Sequence, residues 1–245
     1  MLVDVHAHLD WKDYSEDLDE VIKRARENKV VSIITNGVNP ESNRMVVALA
    51  KKYSIVKPAL GLYPVDAVNL SEADLERELE FIRKSKPFAI GEIGLDMQEL
   101  KSLNEQKAIF IRLLEIAEKL KVPAIIHSRK AELEVVETLE TMKIKKVVLH
   151  TFMGKLKYAK RAEDNGYYFS IPPIVNHSDQ MKALVEQASV SHLLTETDSP
   201  FLSHERGKRN EPVNVKIVLD NIAKIKGLDR KEAENIIYAN YMKLF

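Results

Sequence analysis

The feature that most constrains this chain is a regular alternation of apolar, β-branched runs with amphipathic helical stretches. The strand-like runs are Met1–Val5, Val30–Gly37, Val56–Leu62, Pro87–Gly94, Val122–His127, Lys146–His150, Tyr167–Ile171 and His192–Glu196. The helical patterns cover Ser15–Asn28, Pro40–Tyr53, Ser71–Ser85, Asn104–Lys121, Ala131–Met142, Lys155–Asn165, Ser178–Ala188, Pro212–Lys226 and Asp229–Phe245. Such alternation favours parallel strands with right-handed crossovers. Eight units predict a TIM (β/α)8 barrel, and an open, doubly wound sheet is the competing architecture.

Composition narrows the class of protein further. No linker-like tract interrupts the pattern, so we expect residues 1–245 to form a single domain. Lys plus Arg and Asp plus Glu both number 37, so long-range attraction to a polyanion has no support from net charge. Cysteine is absent, which leaves histidine and carboxylate as metal ligands. Without a signal-like or membrane-spanning apolar run, we expect a cytoplasmic protein with no membrane contact and no obligate protein partner.

Polar side chains follow five of the predicted strands. In a strand alternate residues share a face, so His6 and His8 project to the same side. Each residue also has an ordinary interpretation: a solvated histidine, a glutamate paired with lysine, or an aspartate that caps a turn. Because active sites of such barrels lie at the carboxyl ends of the strands, five coincidences on one rim favour a metal site. The candidate ligands are His6, His8, Glu92, His127, His150 and Asp198.

Four imidazoles and two carboxylates exceed what one catalytic ion needs. They fit two divalent ions about 3.5–4 Å apart, with a bridging group between them. Nitrogen and oxygen ligands are compatible with zinc, manganese or iron, and less comfortably with magnesium. A two-metal site suits hydrolysis of phosphodiesters, amides or esters. Asp198 is the predicted catalytic residue, because it can accept the proton of a metal-activated water.

The strand-end motifs, taken in order, resemble the signatures of the TatD-type metal-dependent deoxyribonucleases, of the amidohydrolase-like superfamily. They lie at Asp4–Asp10, Gly91–Asp96, Ile126–Arg129, His150–Gly154 and Thr195–Pro200, with further likeness at Arg206–Pro212 and Asn240–Phe245. The resemblance spans nearly the whole chain. It implies a TIM-barrel hydrolase that cleaves DNA with divalent metal. It also implies that His6, His8 and Asp198 hold one ion, that His127 and His150 hold the other, and that Glu92 bridges.

Two segments depart from the family pattern. The family usually has Gly-x-His-Pro after its third strand, where this chain has Gly-Leu-Tyr63-Pro. Tyr63 can donate a hydrogen bond to substrate but cannot become cationic, and it has an alternative interpretation as a rim aromatic. The segment 170–173, Ser-Ile-Pro-Pro, also differs from the usual Ser/Gly-rich form.

Basic residues near the predicted rim are the remaining substrate-binding candidates. Arg129 follows His127 closely and could meet a phosphate, or could form a surface salt bridge. Arg206, with Lys208 and Arg209, forms a basic cluster that could contact nucleic acid or could be a solvated loop. Glu196 shares a face with Asp198 and is predicted to orient a ligand.

The sequence therefore predicts a two-metal hydrolase that acts on DNA ends or single strands. A hydrolase of the same fold acting on an amide, an ester or a small phosphoester is the first alternative, and Tyr63 is the feature that favours it. A metal-bound, non-catalytic binding protein is the second, although structural metal sites are usually smaller and closed.

Overall fold

Eight parallel strands make up the central sheet. The structure, a computed structural model, describes residues 1–98 and 102–245. Each strand pairs with the next one in the chain, in the order β1 to β8. The strands are β1 (Leu2–Ala7), β2 (Val30–Asn36), β3 (Val56–Leu60), β4 (Ala89–Asp96), β5 (Ala124–Arg129), β6 (Val147–His150), β7 (Tyr168–Ile171) and β8 (Leu193–Thr195).

Helices connect the strands and cover the outside of the sheet. They are α1 (Leu18–Glu27), α2 (Pro40–Lys52), α3 (Pro64–Ala67), α4 (Glu72–Ser85), α5 (Leu103–Leu120), α6 (Glu132–Thr141), α7 (Leu156–Asp164), α8 (Asp179–Gln187), α9 (Val215–Lys226) and α10 (Arg230–Leu244). Short 3-10 turns occur at Lys12–Tyr14, Pro173–Asn176, Val190–His192 and Pro212–Asn214.

The sheet closes where the segment after β8 meets β1. The backbone N–H of Asp198 donates to the His6 carbonyl at 2.8 Å, and that of His8 donates to the Ser199 carbonyl at 2.7 Å. Ala7 and Ser199 also form a parallel bridge. The predicted TIM barrel is therefore confirmed, and the open doubly wound sheet is wrong, because an open sheet leaves its first and last strands unpaired.

A buried carboxylate reinforces this closure. Asp4, in β1, accepts hydrogen bonds from the Thr197 backbone N–H at 2.9 Å and from the Thr197 hydroxyl at 2.5 Å. The Thr195 hydroxyl donates to the Val3 carbonyl at 2.6 Å. Asp4 is fully buried, so these bonds satisfy a group that is costly to bury unpaired. The contacts fix the end of β8, and hence Asp198, relative to the two histidines of β1.

The helix α10 covers the opposite end of the barrel. The Asn240 amide donates to the carbonyls of Val190 and Leu193, both at 2.8 Å, at the start of β8. The Tyr241 hydroxyl donates to the Ser32 hydroxyl near the start of β2 at 2.9 Å. The amino ends of these strands are therefore covered, while their carboxyl ends face the loops.

The predicted helices and strands are all present, but several boundaries differ. The first helix begins at Leu18 rather than Ser15, because the chain forms a 3-10 turn before it. The fourth strand continues past Gly94 to Asp96. The helix α4 begins as predicted, because Ser71 caps it: the Ser71 hydroxyl accepts from the Asp74 N–H at 3.1 Å. The helix α3 was not expected, because four residues are too few to show helical periodicity.

Gly94 is a position in β4 where an added side chain would clash with the backbone of β5. It pairs with His127 across β4 and β5, its φ is 147°, and a Cβ there would lie 2.0 Å from the His127 carbonyl oxygen. Because the clash is with backbone, no side-chain rotation relieves it.

We therefore expect Gly94→Ala to lower the free energy of unfolding by about 3 kcal/mol, as measured by urea denaturation. Gly227→Ala is the control, since its φ of 64° is left-handed but a Cβ there meets nothing within 4 Å. It should cost about 1 kcal/mol. Equal losses in the two variants would show that the β4–β5 pairing absorbs the side chain by moving.

Candidate metal centre

The structure brings all six predicted ligands together at the carboxyl ends of the strands. His6 lies in β1 and His8 just after it, Glu92 lies in β4, His127 in β5 and His150 at the end of β6, and Asp198 follows β8. All six line or underlie one depression, because the carboxyl ends of a parallel barrel share one rim. They form two groups of three donor atoms.

The first group contains His6, His8 and Asp198. The two Nε2 atoms are 3.1 Å apart. The Asp198 Oδ1 atom lies 3.4 Å from Nε2 of His6 and 3.3 Å from Nε2 of His8. Three donor atoms from opposite sides of the barrel closure therefore converge on one point.

The second group contains Glu92, His127 and His150. The Glu92 Oε1 atom lies 2.8 Å from Nδ1 of His127 and 3.1 Å from Nε2 of His150. Those two imidazole nitrogens are 3.2 Å apart. The second carboxylate oxygen of Glu92, Oε2, faces the first group, at 3.5 Å from His6 Nε2 and 3.4 Å from His8 Nε2. Glu92 thus contacts both groups, one oxygen to each.

These distances fit metal coordination. Ligand atoms about 2.0–2.2 Å from a common ion lie about 3.0–3.6 Å from one another, which matches most of the separations in each group. The donors are imidazole nitrogen and carboxylate oxygen, the set that zinc and manganese accept. The Nδ1 atom of His8 lies 3.0 Å from the Asn36 carbonyl oxygen, so it carries the proton and leaves Nε2 free to coordinate.

The electrostatics of the centre favour positive charge between its side chains. Burial alone raises the pKa of Glu92, but the His150, His127 and His6 imidazoles outweigh burial and hold that pKa well below its usual value. Burial lowers the pKa of His8, yet Asp198 and Glu92 raise it well above the ordinary value. Depressed acids beside elevated bases mark a site that binds protons or, in their place, divalent cations.

A second layer of side chains orients His127. Its Nε2 atom lies 3.1 Å from Oδ2 of Asp96, and the Tyr63 hydroxyl donates to the same oxygen at 2.5 Å. The other oxygen of Asp96 accepts from the Gln98 N–H at 2.7 Å. Although burial opposes ionisation, the hydrogen bonds from His127 and Tyr63 lower the pKa of Asp96 to about 2. A charged carboxylate therefore fixes the imidazole with Nδ1 turned towards Glu92.

A similar layer lies behind His150. Glu196 is fully buried, and its Oε1 atom lies 3.8 Å from Nδ1 of His150. It accepts from the Thr151 N–H at 2.9 Å and from the Ser170 hydroxyl. Glu196 is thus placed next to a candidate ligand, as the sequence predicts for a residue that orients one.

Two residues beside the centre have left-handed backbone conformations. The φ angles are 53° at Asp198 and 42° at Thr151. Non-glycine residues in this region cost of order 1 kcal/mol each. Hydrogen bonds from the Asp198 N–H to the His6 carbonyl and from the Thr151 N–H to Glu196 hold them in place. At these two positions the backbone strain directs side chains towards the centre or its surroundings.

The centre lies at the base of a cavity of about 680 Å³. Its lining consists of His8, Trp11, Val38, Asn39, Tyr63, Val65, Asp66, Glu92, His127, Ser128, Arg129, Glu132, His150, Thr151, Met153, Ile174, Asp198, Phe201 and Leu202. Ile174 comes from the segment after the unusual Ser-Ile-Pro-Pro sequence, so that segment supplies an apolar part of the wall.

The predicted substrate-binding residues differ in their placement. Tyr63 and Arg129 line the cavity, whereas Arg206 is exposed in the loop between β8 and α9 and lies outside the lining. Its neighbours are engaged elsewhere: Lys208 pairs with Glu205, and Arg209 binds Asp17 through both terminal nitrogens at 2.7 and 2.6 Å. The basic cluster is therefore largely neutralised by local carboxylates.

Sequence reasoning assigned no role to Asp96, Asp4 or Asn36. A signal existed for Asp96, since it is two and four residues beyond Gly94 and Glu92 and would share their face if the strand continued. Asp4 lies on the histidine face of β1 and could have been expected to be buried. The contribution of Asn36 is a backbone carbonyl, which no residue type reveals.

A TIM barrel with histidines and carboxylates gathered at the carboxyl ends of its strands defines a metal-dependent hydrolase. The family model described as TatD related DNase matches residues 3–245, so the chain belongs to that family. It is 34% identical to human deoxyribonuclease TATDN3, over 100% of this chain and 94% of that protein. It is 35% identical to the uncharacterized metal-dependent hydrolase YabD of Bacillus subtilis, over 100% of this chain and 99% of that protein.

Solved structures agree with this assignment. The crystal structure of YJJV, a TatD homolog from Escherichia coli, matches with a TM-score of 0.90 and 26% identity, over 100% of this chain and 97% of that one. The resemblance and the hydrolase class expected from the sequence are both confirmed. Within the ranges that the structure describes, none of the helices has the length and apolar character needed to cross a membrane.

The layer behind His127 leads to a prediction about metal affinity. Asp96→Asn removes the negative charge that fixes the imidazole, and we expect divalent-metal affinity to fall by about 10- to 100-fold. Competition with a coloured chelator measures this without any activity assay. Asp179→Asn, an almost fully exposed aspartate of α8, is the matched control and should bind metal as the unaltered protein does. An unchanged affinity in Asp96→Asn would mean that packing alone orients His127.

Proposed function

We propose that this chain is a deoxyribonuclease that hydrolyses DNA phosphodiester bonds with two divalent ions, and that residues 1–245 act as one catalytic domain. The observation that carries the proposal is the placement of Glu92, with one carboxylate oxygen facing each group of imidazoles. A single-ion site needs no such bridge. The name of the human relative, a deoxyribonuclease, supports DNA as the substrate.

Each group would hold one ion in this proposal. His6, His8 and Asp198 would bind the first and His127 and His150 the second, with Glu92 joining them. When bound, two such ions lower the pKa of a water molecule and neutralise charge on phosphate oxygens. Four imidazole ligands favour zinc or manganese over magnesium.

Asp198 is the proposed proton acceptor. Its carboxylate lines the cavity, and its side chain remains 14% exposed, so water reaches it. Although burial opposes ionisation, the His6 and His8 imidazoles hold the pKa of Asp198 well below its usual value. It is therefore ionised at neutral pH and able to take the proton of the attacking water.

Tyr63 and Arg129 are the proposed substrate contacts, and both line the cavity. Burial and the hydrogen bond to Asp96 raise the pKa of Tyr63 above its ordinary value, so the phenol stays protonated and neutral. The Arg129 guanidinium is exposed at the end of β5, where it can bind a phosphate oxygen through charge-assisted hydrogen bonds. Because Tyr63 adds no charge, Arg129 carries this part of phosphate recognition.

Substitution of the proposed acid–base residue tests the reaction. We expect Asp198→Asn to lower kcat on single-stranded DNA by about 10²- to 10⁴-fold, and His127→Ala to lower it comparably by removing a ligand. Parallel assays on a generic phosphodiester and an aminoacyl ester test the alternative hydrolase activities, which Tyr63 favours because it brings no cation to the phosphate.

The matched controls are Asp179→Asn and His192→Ala, whose side chains lie outside the cavity lining; both should keep full activity. Full activity in Asp198→Asn and His127→Ala would contradict the two-metal mechanism. Cleavage of the ester but of no DNA would replace the proposed function with the ester-hydrolase alternative.

Metal stoichiometry tests the dinuclear site directly. After loading with zinc or manganese and removal of free metal, we expect two ions per chain, and one in His150→Ala because its group then keeps only one imidazole. Elemental analysis gives the count, and the thermal midpoint should rise on loading because the ions bind only the folded chain. Fewer than one ion in the loaded, unaltered protein would contradict the proposal.

A further inference from the structure

Two exposed aromatic rings meet at the mouth of the cavity. Trp11 is 37% exposed and Phe201 is 42% exposed, and every other Phe or Tyr side chain in the described ranges is buried or half-buried. Their centroids are 5.3 Å apart at an interplanar angle of 73°, and both line the cavity. Large rings left in water beside an active site are typical of ligand contact rather than of packing.

The backbone fixes both rings next to the metal centre. The Trp11 N–H donates to the His8 carbonyl at 3.2 Å, and the Phe201 N–H donates to the Asp198 carbonyl at 2.9 Å. The Asn210 amide also donates to the Phe201 carbonyl at 2.8 Å. The Phe201 ring centroid is 6.0 Å from that of His8. A ligand on these rings would therefore adjoin the reacting phosphate.

The charges that line the cavity provide little attraction for a polyanion, so binding needs a further contact. Among the described residues that line the cavity, Arg129 is the one arginine or lysine. Asp66 and Glu132 place negative charge in the same lining. The net charge of the chain is zero. Electrostatic attraction along a polyanion is consequently weak, and the apolar lining that includes Met153 and Ile174 favours a ligand with a flat, uncharged part.

We propose that Trp11 and Phe201 form a stacking platform for the nucleobase of a nucleotide bonded to the scissile phosphate. The inference rests on the proposed function and assigns to these two residues the recognition of that base. Aromatic stacking strengthens binding by about 5- to 150-fold per base and tolerates any base. A base inside a duplex has both faces covered, so the platform selects nucleotides whose bases are unpaired and unstacked.

A cycle that pairs a protein substitution with a missing base tests the platform. Trp11→Ala and Phe201→Ala are assayed as metal-loaded enzymes on a single-stranded oligonucleotide and on copies with an abasic nucleotide on one or the other side of the cleaved bond. We expect each substitution to raise KM about tenfold on the intact strand and to change kcat less than twofold. On the copy that lacks the stacked base, KM of the variants should match that of the unaltered enzyme.

Two further variants set the scale of the effect. Trp11→Phe should keep most of the affinity, because it retains an aromatic face. Met45→Ala removes an exposed side chain (43%) on α2, outside the cavity lining, and should leave KM unchanged. Equal increases of KM on intact and abasic strands would overturn the platform while leaving the deoxyribonuclease proposal intact.

Fluorescence gives a readout that does not depend on cleavage. Trp11 is the only tryptophan of the chain, so its emission reports on this surface alone. In metal-loaded Asp198→Asn, an intact oligonucleotide should quench the emission, and the matching abasic copy with the same phosphates should not. If the unaltered enzyme cleaves no DNA, the proposed function fails; quenching that requires the base would still support the platform, and absence of quenching would overturn it.

Discussion

The contact on which this structure depends is the one between the Glu92 carboxylate and the imidazoles on both sides of it. A buried carboxylate is unfavourable unless it is paired or bound to metal, and here each oxygen has its own pair of histidines within 3.5 Å. Those histidines come from three strands, so the arrangement exists only if the strands end at one rim. Closure of the barrel between β8 and β1 is therefore a condition for the site and not only for stability.

Side chains and backbone groups around the centre hold the candidate ligands in fixed orientations. The Asn36 carbonyl lies against Nδ1 of His8, Asp96 against Nε2 of His127, and Glu196 near Nδ1 of His150. In these three imidazoles the other nitrogen is therefore turned towards the centre. Asp4 performs a related task for the backbone, because its hydrogen bonds to Thr197 hold the segment that carries Asp198. Preorganisation of this kind reduces the reorganisation needed during catalysis.

The residues proposed to bind substrate differ from those that orient the imidazoles. The hydroxyl of Tyr63 donates to Asp96, the carboxylate that orients His127, and a neutral phenol adds no charge to the cavity. In the proposed function, Arg129 binds the phosphate and the rings of Trp11 and Phe201 bind the nucleobase. The exposed basic cluster near Arg206, a candidate from the sequence, is largely neutralised, because Lys208 pairs with Glu205 and Arg209 pairs with Asp17.

The local sequence pattern predicted the barrel and the candidate ligands, because the periodicity of each strand and the polar residues at its end are both visible in the chain. Strand alternation places His6 and His8 on one face, and repeated βα units place five strand ends together. Helix ends such as Ser71 were also readable, since a cap involves neighbours in the chain. Three features became visible only in the tertiary structure: which Glu92 oxygen faces which pair of histidines, the extension of β4 to Asp96, and the contact between Trp11 and Phe201. Those contacts join residues from different strands and loops, and their geometry depends on packing that no local pattern encodes.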